Sequence, residues 1–554
     1  MQKHIWIFIS CCLLFFGCSS EEPAQIVEAP MPESTEPMAR PNFLIITTDD
    51  MGYTDLGAFG GQDIPTPNMD QLAMEGVRLT NFHVGTVCSL TRAMLMSGTG
   101  NFEAGKGLQR GGSSPIFRGQ HGYEGRIVDR VATMPERMAA DGYHTYLAGK
   151  WHLGNEEGVN LPGARGFERS FALINGAYDH FDPKLGESVY SEDGKAISEL
   201  PDDFYSTNAY VDKMIGYIES NKSDGQPFLG WFAPTAPHWP LQAHPDWKDR
   251  FVGNYDAGYE ALCFERMQGA AAAGTLPDGA DTSFCPLEAL PWDELTDDEQ
   301  ALNIRAMELY AAMTAHLDSE IGRLISYLDE SGQLENTYII YHNDNGPEGG
   351  GIITRRSAPE RYDNSLENVG NANSWIHVGQ GWADAQSAPF RKTKGYQYEG
   401  GTRVPAFIRP PVSSESGLKS NSLLTIMDLL PTIMDIAGVE EVSINAEGNE
   451  VFPIRGKSFA DLIEDQSLNI HQDEYIALDN GGDSVLMENE WRIVRPPTTN
   501  DWSLFNIAVD PGETNDLAEE DPEKLADLVG KYNIHAEALG FLRGEPEAQE
   551  YFQR

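Results

Sequence analysis

The residues of this chain whose types and spacing point most directly to chemistry are Cys88 and Arg92, which enclose Ser-Leu-Thr and open an apolar stretch that ends at Gly98. This spacing is not that of a zinc site or of a disulfide framework. Two other cysteines, Cys263 and Cys285, flank a loop of small residues and would either pair in an oxidising compartment or remain two thiols. If they pair, Cys88 is the odd thiol, which suits a chemically modified residue.

Acidic and amide side chains follow two predicted strands. Asp49 and Asp50 come directly after the apolar run Asn42–Thr48, and Asp344 and Asn345 follow a second such run. Ligands of open α/β sheets collect at the carboxyl ends of strands. Three carboxylates and one amide oxygen form a hard oxygen site, suited to Ca²⁺ or Mg²⁺ rather than zinc. Either pair alone could equally cap a helix, but both pairs together with the Cys88 motif favour a metal site.

Two lysines and two histidines complete the candidate set. Lys150 and His152 lie two apart in Gly-Lys-Trp-His-Leu-Gly, which places them on one side of an extended segment. His238 lies between two prolines, and Lys394 precedes a glycine-rich loop. A lysine neutralises an oxyanion, and a histidine moves protons near neutral pH. Taken singly, each would more often be an ordinary surface or loop residue.

Alternating strands and helices must position these residues. Period-two and period-3.6 patterns predict strands and helices in turn, which indicates an α/β sheet with right-handed crossovers. The predicted strands are Asn42–Thr48, His144–Ala148 and Tyr338–Tyr341, and the predicted helices are Asn68–Val77, Met134–Ala140 and Thr296–Leu328.

The pattern changes toward the C-terminus. Short strands with tight turns are predicted at Ser484–Met487, Trp491–Val494 and Trp502–Ile507, and a terminal helix at Pro522–Leu539. This indicates a smaller C-terminal α+β domain with an antiparallel sheet, which we expect to cover residues 445–554.

The motifs together resemble the type I, formylglycine-dependent sulfatases of the alkaline-phosphatase-like superfamily. They are, in order, Asp-Asp-x-Gly, Cys-x-x-x-Arg, Gly-Lys-Trp-His-Leu-Gly, Pro-His, Asp-Asn-Gly, and Lys-Gly before Glu-Gly-Gly. The segment Ala164–Phe171 and the long helix before Asp344 are most similar to bacterial arylsulfatases. The resemblance runs from Pro41 to the C-terminus and implies a large mixed, mostly parallel sheet flanked by helices, in a catalytic domain of residues 41–444.

The resemblance implies an enzyme that hydrolyses sulfate esters. Cys88 would be oxidised by a maturation enzyme to formylglycine, whose hydrate attacks sulfur, and Arg92 would stabilise that hydrate. The divalent ion, usually Ca²⁺ with Mg²⁺ as the alternative, would be bound by five residues, namely Asp49, Asp50, modified Cys88, Asp344 and Asn345.

The same resemblance assigns the remaining candidates. Lys150 and Lys394 would bind the sulfate oxygens, and His238 with Lys394 would help the leaving oxygen to acquire a proton. His152 would take the remaining hydroxyl proton of the hydrate, which ejects sulfate and restores the aldehyde.

One position departs from the family pattern, because Leu90 stands where the family has Pro or Ala. Maturation enzymes read this position, so the departure bears on whether Cys88 is modified. Two alternatives therefore stay open. One is a phosphoester or phosphonate-ester hydrolase of the same superfamily, and the other is an inactive lipoprotein that binds sulfated glycans.

Length and charge limit the function classes. A chain of 554 residues is expected to form two domains, and 40% apolar residues can bury large cores. The net charge of -46 argues against a nucleic-acid partner. An anionic substrate must therefore be captured by a local cationic pocket, while the acidic surface suits solubility in salty water.

The N-terminus predicts export. The apolar run Ile5–Phe16 fits the core of a signal peptide, and the following Gly17-Cys18 resembles a bacterial lipoprotein cleavage site. We therefore expect a signal peptide over residues 1–18, a lipid anchor on Cys18, and a flexible tether over residues 19–40. The expected location is the periplasm or the cell surface, with plain secretion as the alternative.

The substrate is not determined by these motifs. The specificity pocket is expected from the loops Asn175–Pro183 and Arg355–Ala388, whose Trp375, His377 and Trp382 could stack on a sugar or aryl ring or simply pack the loop. Export and an acidic surface make fragments of sulfated algal polysaccharides a natural candidate.

Overall fold

The structure is a computed structural model that describes residues 40–109, 115–181, 189–277, 280–354, 357–411, 415–445, 448–497, 499 and 501–541. The expected signal peptide, Cys18 and all of the tether except Arg40 lie outside these residues. Among the helices described, none has both the length and the apolar composition that crossing a bilayer requires.

Sixteen strands, numbered in chain order, occur in the described part of the chain. They are β1 (Asn42–Thr48), β2 (Val77–Leu79), β3 (Phe82–His83), β4 (His144–Lys150), β5 (Arg169–Leu173), β6 (Tyr190–Glu192), β7 (Lys195–Ile197), β8 (Phe228–Ala233), β9 (Thr337–Asn343), β10 (Ala406–Arg409), β11 (Leu418–Ser420), β12 (Leu424–Thr425), β13 (Tyr475–Asn480), β14 (Asp483–Glu488), β15 (Trp491–Arg495) and β16 (Ser503–Asn506).

Ten of these strands form one mixed sheet in the order β11-β2-β10-β9-β1-β8-β4-β5-β6-β7. The central pairs β9/β1, β1/β8, β8/β4 and β4/β5 are all parallel, whereas β10 runs antiparallel to both of its neighbours. The predicted large, mostly parallel sheet is confirmed. Its strand ends meet at one edge, because parallel strands all finish on the same side.

The described α-helices pack around this sheet, except for the last, which packs on the small C-terminal sheet. They are α1 (Pro67–Glu75), α2 (Cys88–Ser97), α3 (Met134–Ala140), α4 (Ser206–Asn221), α5 (Gly258–Ala273), α6 (Asp297–Glu330), α7 (Gln380–Ser387), α8 (Glu399–Thr402), α9 (Leu429–Ala437) and α10 (Pro522–Leu539). The longest, α6, begins at a capping box in which Thr296 and Glu299 satisfy each other's backbone N–H groups.

Both faces of the sheet are covered, as a parallel sheet requires. Successive side chains of β1 point to opposite faces, so Leu44 and Ile46 join one core while Phe43 and Ile45 join the other. The first core includes residues of α4, α5 and α6, and the second includes residues of α2, α3 and α9. The result is a rigid three-layer support for the strand ends.

The C-terminal strands form the expected small antiparallel sheet, in the order β13-β14-β15-β16. One face packs on α10 through Leu486, Ile493 and Leu528. The other face contributes Val485 and Met487 to the second core of the large sheet. The boundary near residue 445 stays a prediction, because this sheet shares a core with the larger body.

Some local predictions differ from the structure. The first helix ends at Glu75, and Val77 already belongs to β2. Strand β8, which lies between β1 and β4, was not predicted. Of the two alternatives for Cys263 and Cys285, the structure has the disulfide. It links α5 to the segment that follows α5.

Candidate active site

The candidate site lies where β1 and β9 end side by side. Thr48 is in register with Asn343, so Asp49 and Asp344 follow as neighbours, and the Asp344 N–H donates to the Thr48 carbonyl at 3.1 Å. Both aspartates are fully buried. Buried carboxylates need partners, and the partners of these two identify the site.

A second set of contacts holds the turn after β1. Asp50 has a φ of 66°, in the left-handed region. The Tyr310 hydroxyl on α6 donates to the Asp50 carbonyl at 3.2 Å and to Asp55 Oδ2 at 2.6 Å, and Asp55 also accepts from the Gly52 N–H at 2.6 Å. Arg266 neutralises Asp55. This buried network fixes the direction of the Asp50 side chain.

Each of the three aspartates uses one oxygen to accept from a cation. Lys150 Nζ donates to Asp49 Oδ2 at 2.6 Å, and Lys394 Nζ donates to Asp50 Oδ1 at 2.6 Å. Arg92 donates twice to Asp344 Oδ2, at 2.7 and 2.9 Å. The cations therefore neutralise the cluster from behind and leave the other oxygen of each carboxylate available.

The remaining oxygens fit a metal ion. Four buried side-chain oxygens have no hydrogen-bond partner within the described residues, namely Asp49 Oδ1, Asp50 Oδ2, Asp344 Oδ1 and Asn345 Oδ1. One oxygen from each of the three aspartates lies within 4.8 Å of the others, and the same holds for atoms of Asp49, Cys88 and His238. Four orphaned oxygens of this type suit a hard divalent cation such as Ca²⁺ or Mg²⁺.

The protonation of these groups supports the same conclusion. Burial raises the pKa of Asp49 to about 8, with the neighbouring Asp344 adding to the effect, and burial raises the pKa of Asp50 to about 6. Without a cation, protons therefore compensate for the crowded negative charge. A bound divalent ion would take over that role and displace them.

Cys88 is the first residue of α2, beside the aspartate cluster. It is buried and is the unpaired cysteine of the described chain. Burial raises the pKa of its thiol, although Lys150 and Lys394 oppose this. Arg92, one helical turn later, donates to the Lys150 carbonyl at 2.7 Å as well as to Asp344. The helix thus brings Cys88 and Arg92 to the same cluster.

His152 reaches the cavity by a different route from the one predicted. Strand β4 ends at Lys150, and His152 has a φ of 60°, so the segment is not extended and the period-two argument was wrong there. The ring packs against Gly176, where an added Cβ would lie 2.7 Å from His152 Cε1. Its Nδ1 has no partner within the described residues. Burial lowers the pKa of His152 well below its ordinary value, and the nearby charge of Lys150 lowers it further. The ring is therefore neutral.

His238 lies next to Asp50. Its Nδ1 lies 2.6 Å from the Trp239 carbonyl, which can only accept, so Nδ1 carries the proton. Its Nε2 lies 3.4 Å from Asp50 Oδ2. Burial, then Lys394 and Lys150, lowers the pKa of His238 well below its ordinary value. At neutral pH the ring is therefore uncharged, and Nε2 bears a lone pair.

A cavity of about 640 Å³ opens above these residues, large enough for a monosaccharide or an aryl group. It is lined by Cys88, Gln109, His152, Asn175, Gly176, Ala177, His238, Trp239, Glu348, Thr354, His377 and Lys394. Asn175 and His377 come from the two loops expected to form the pocket. Trp375 packs on Trp239 next to the cavity, whereas Trp382 is fully buried against Tyr259.

Two charged residues near the cavity were missed in the sequence. Glu348 lines the cavity and pairs with Lys394 at 2.9 Å. Its position four residues after Asp344 was the one feature of the sequence that could have placed it near the site.

Lys106 is 2% exposed, donates to the carbonyls of Gln109 (3.3 Å) and Gly125 (3.0 Å), and forms no ion pair within the described residues. Burial lowers the pKa of Lys106 to about 8.

Known proteins resemble this chain in sequence and in fold. The family model described as Sulfatase matches residues 41–439. A sulfatase of Schizosaccharomyces pombe is 36% identical over 533 residues, which cover 90% of this chain and 94% of that protein. An arylsulfatase of Klebsiella aerogenes is 36% identical over 432 residues, covering 76% and 91% respectively.

Among solved structures, the crystal structure of Ps i-CgsB in complex with k-i-k-neocarrahexaose has a TM-score of 0.65 at 21% identity. The match covers 93% of this chain and 100% of that chain. Identity at this level supports the fold and not the substrate.

The buried ammonium of Lys106 should make stability depend on pH. Its pKa is lower in the folded state (about 8) than the ordinary 10.5, so the unfolded chain binds more protons between these values and stability rises with pH there. We expect Lys106→Met to raise the free energy of unfolding by about 2 kcal/mol at pH 7 and by much less at pH 10. Urea unfolding at both pH values measures this.

Lys222→Met is the matched control, because Lys222 is exposed and forms a surface ion pair with Glu219. It should leave the difference between the two pH values unchanged. Equal pH dependence in wild type and Lys106→Met would show that the Lys106 ammonium is not destabilised by burial.

Proposed function

The chain belongs to the sulfatase family, enzymes that hydrolyse sulfate esters, and we propose that it does so with a formylglycine made from Cys88 and a bound divalent cation. The observation that carries the proposal is the convergence of oxygens from Asp49, Asp50 and Asp344 beside Cys88, with one oxygen of each aspartate and of the adjacent Asn345 lacking a hydrogen-bond partner in the described chain. A phosphoester alternative has less support, because the relatives at 36% identity are sulfatases.

Asp49, Asp50, Asp344, Asn345 and the modified Cys88 would hold the cation. When bound, it would supply Lewis acidity toward the sulfate and help to hold the nucleophilic oxygen. The hydrogen bonds of Lys150, Lys394 and Arg92 keep each carboxylate oriented with its second oxygen toward the ion. The chain's own residues therefore preorganise the site.

The formylglycine hydrate would supply an attacking hydroxyl together with a second hydroxyl whose deprotonation releases sulfate. Arg92 neutralises the charge around this residue from within α2. Lys150 and Lys394 lie on either side of the aspartate cluster, bonded to Asp49 and Asp50. From there their ammonium groups would bind oxygens of the sulfate, which gains negative charge in the transition state.

Two histidines would take part in the proton transfers. His152 is neutral, with Nδ1 unpartnered, so it can accept the hydroxyl proton at that atom. His238 carries its proton on Nδ1, held by the Trp239 carbonyl, so its Nε2 accepts rather than donates. The proton for the leaving oxygen would therefore come directly from Lys394, whose ammonium stays protonated because Asp50 and Cys88 raise its pKa against the effect of burial. His238 would assist by accepting a hydrogen bond at Nε2, which needs no change in its own protonation.

Two classes of substrate are proposed. The arylsulfatase of Klebsiella aerogenes supports an aryl sulfate as an accepted substrate. Sulfated carbohydrates, including oligosaccharides of sulfated algal polysaccharides, are supported by the cavity size, the aromatic side chains on its wall, and the export predicted from the sequence.

The first prediction concerns the cation. Chelation should abolish activity, and Ca²⁺ or Mg²⁺ should restore it. Calcium affinity should rise from pH 5.5 to pH 8, because Asp50 (pKa about 6) and Asp49 (pKa about 8) must lose protons to bind the ion. Asp344→Asn should weaken calcium at least about tenfold, measured by titration calorimetry on the metal-free protein.

Asp329→Asn provides the control, since Asp329 is exposed on α6 away from the site. It should bind calcium as the wild type does. Wild-type affinity in Asp344→Asn, or full activity after exhaustive chelation, would refute the metal site.

The second prediction concerns the nucleophile. Activity should track the fraction of Cys88 converted to formylglycine, as quantified by peptide mass spectrometry, and Cys88→Ala should be inactive. Leu90→Ala should raise the converted fraction without changing turnover per converted site. Alanine keeps the N–H that donates to the Val87 carbonyl at 3.0 Å, although losing a buried leucine costs about 2–5 kcal/mol of stability.

Multiple turnover by protein whose Cys88 is entirely an unmodified thiol would contradict this mechanism. Complete conversion without hydrolysis of any sulfate ester would instead favour the inactive, glycan-binding alternative.

The third prediction concerns location. We infer from the N-terminal segment that the protein is exported and anchored through Cys18 to a bacterial membrane, facing the periplasm or the cell surface. Cys18→Ala should move it from the membrane fraction to the soluble fraction. Cys12→Ala, in the same segment, should not. Wild-type protein found wholly in the medium would rule out the anchor.

A further inference from the structure

One carboxylate in the cavity wall belongs to no part of the proposed catalytic machinery. Glu348 follows the Asp344-Asn345 pair, and its Oε2 lies 2.9 Å from Lys394 Nζ. About a quarter of its side chain (25%) is exposed, and it lines the cavity together with Trp239, Thr354 and His377. Because it contacts the lysine from which the leaving oxygen would take its proton, Glu348 lies on the leaving-group side of the site.

Glu348 is ionised at neutral pH. Burial alone would raise its pKa, but the Lys394 ammonium lowers it, and hydrogen bonds from Lys394 and the Trp239 side chain lower it further. Lys394 is shared, because it also donates to Asp50 at 2.6 Å. One ammonium therefore faces two carboxylates, and part of the negative charge of Glu348 is presented to the cavity.

We propose that Glu348 is a specificity-determining residue, an inference that rests on the proposed sulfatase function. Glu348 would select sulfate esters whose leaving group carries no second negative charge near the scissile bond. The class of substrate is a monosulfated ring that is otherwise neutral or cationic, such as a singly sulfated sugar, an amino-sugar sulfate or a simple phenyl sulfate.

The surroundings of Glu348 suit such a ring. The rings of Trp239 and His377 are stacked with their centroids 4.7 Å apart, and Trp375 packs on Trp239 at 5.7 Å. Aromatic faces of this kind pack well on the apolar face of a sugar or on an aryl ring. A neutral ring loses little on leaving water for this wall, whereas a second anion would be both desolvated and repelled by Glu348.

The size of the selection follows from Coulomb's law. Two like charges about 7 Å apart, at an effective dielectric constant of about 40, repel each other by roughly 1 kcal/mol. This repulsion should weaken binding of an anionic leaving group roughly tenfold relative to a neutral one. Salt screens the field of the distant surface acids beyond about 8 Å. A charge inside the cavity is screened less, so the contribution of Glu348 should persist at physiological salt.

A structural role in holding Lys394 is the competing explanation, and Glu348→Gln separates the two. Glutamine keeps a side-chain oxygen that can accept from Lys394 but removes the charge. A merely positioning residue would change turnover of all substrates alike. A charge-selecting residue would change the order in which the enzyme prefers them.

The experiment compares three aryl sulfates of nearly equal shape, with a carboxylate, a carbamoyl or an aminomethyl group on the ring. We measure kcat/KM for each with wild type and Glu348→Gln at physiological salt. Wild type should prefer the carbamoyl ester over the carboxylate ester about tenfold more strongly than Glu348→Gln does. The preference for the aminomethyl ester over the carbamoyl ester should likewise be weaker in Glu348→Gln than in wild type. The ratio of two substrates within one preparation cancels the fraction of converted Cys88, and comparing that ratio between wild type and variant cancels the reactivity of each leaving group.

Glu367→Gln is the matched control, because Glu367 is an exposed carboxylate outside the cavity lining, and it should keep the wild-type ratios. If Glu348→Gln does not turn over, the ratios of dissociation constants are measured in the Cys88→Ala background, where no catalysis is needed. Unchanged ratios in Glu348→Gln by either measurement would overturn the role of Glu348 and leave the proposed function standing. Fully converted wild type that hydrolyses none of the three esters would overturn the proposed function and this inference with it.

Discussion

Burying three carboxylates within a few ångströms of one another is the constraint around which this fold is organised. Asp49, Asp50 and Asp344 repel one another and have lost most of their hydration. Three cations, Arg92, Lys150 and Lys394, each neutralise one of them from behind. Since removing one member of such a buried pair leaves an uncompensated charge, the cations and the carboxylates depend on each other.

A second layer of buried ion pairs keeps that first layer in position. Behind Asp50, Arg266 on α5 bridges Asp55 and Asp63, which ties the turn after β1 to a helix. Near Lys394, three side chains contact Glu399 at the start of α8, namely the His83 ring and the guanidinium groups of Arg403 and Arg492. These contacts lower the pKa of Glu399 despite its burial.

This second network also explains why the small sheet packs against the large one. Arg492 lies on β15 and contacts both Glu399 and Glu513, while Glu513 accepts from the Glu399 N–H at 2.7 Å. The loop that carries Lys394 is thereby bonded to the C-terminal sheet through charged groups that are fully buried. We infer that the small sheet holds the loop that carries Lys394 in addition to burying apolar surface.

The parts of the fold that local chemistry determines could be predicted from the sequence. Strand β1 and helices α3 and α10 have the predicted bounds, because each combines a clear period with a cap, a turn or a proline at its ends. Strand β8 could not be recognised as easily, since Gly230 interrupts its apolar run. That glycine makes room for Met214, whose sulfur would lie 3.2 Å from an added Cβ.

The same division holds for the site. The acidic and amide pairs at the ends of β1 and β9 could be predicted to meet because both follow buried strands of one parallel sheet. The position of His152 could not, since it depends on a left-handed turn and on the glycine at position 176. Nor could the role of Glu348, because it arises from a contact with Lys394, 46 residues later, that only the folded chain creates.

The burial of α2 bears on when the proposed modification of Cys88 would take place. Cys88, Leu90 and Arg92 are all buried in the folded chain, and Gly85 packs so closely that an added Cβ would lie 2.9 Å from Leu90 Cβ. If Cys88 is modified as we propose, an enzyme that reads the motif as an extended peptide could not reach it in the helix, so the modification would have to precede the formation of α2. Leu90 would then meet two conflicting demands, because the folded core favours a large apolar side chain at a position where the sulfatase pattern has a small or cyclic one.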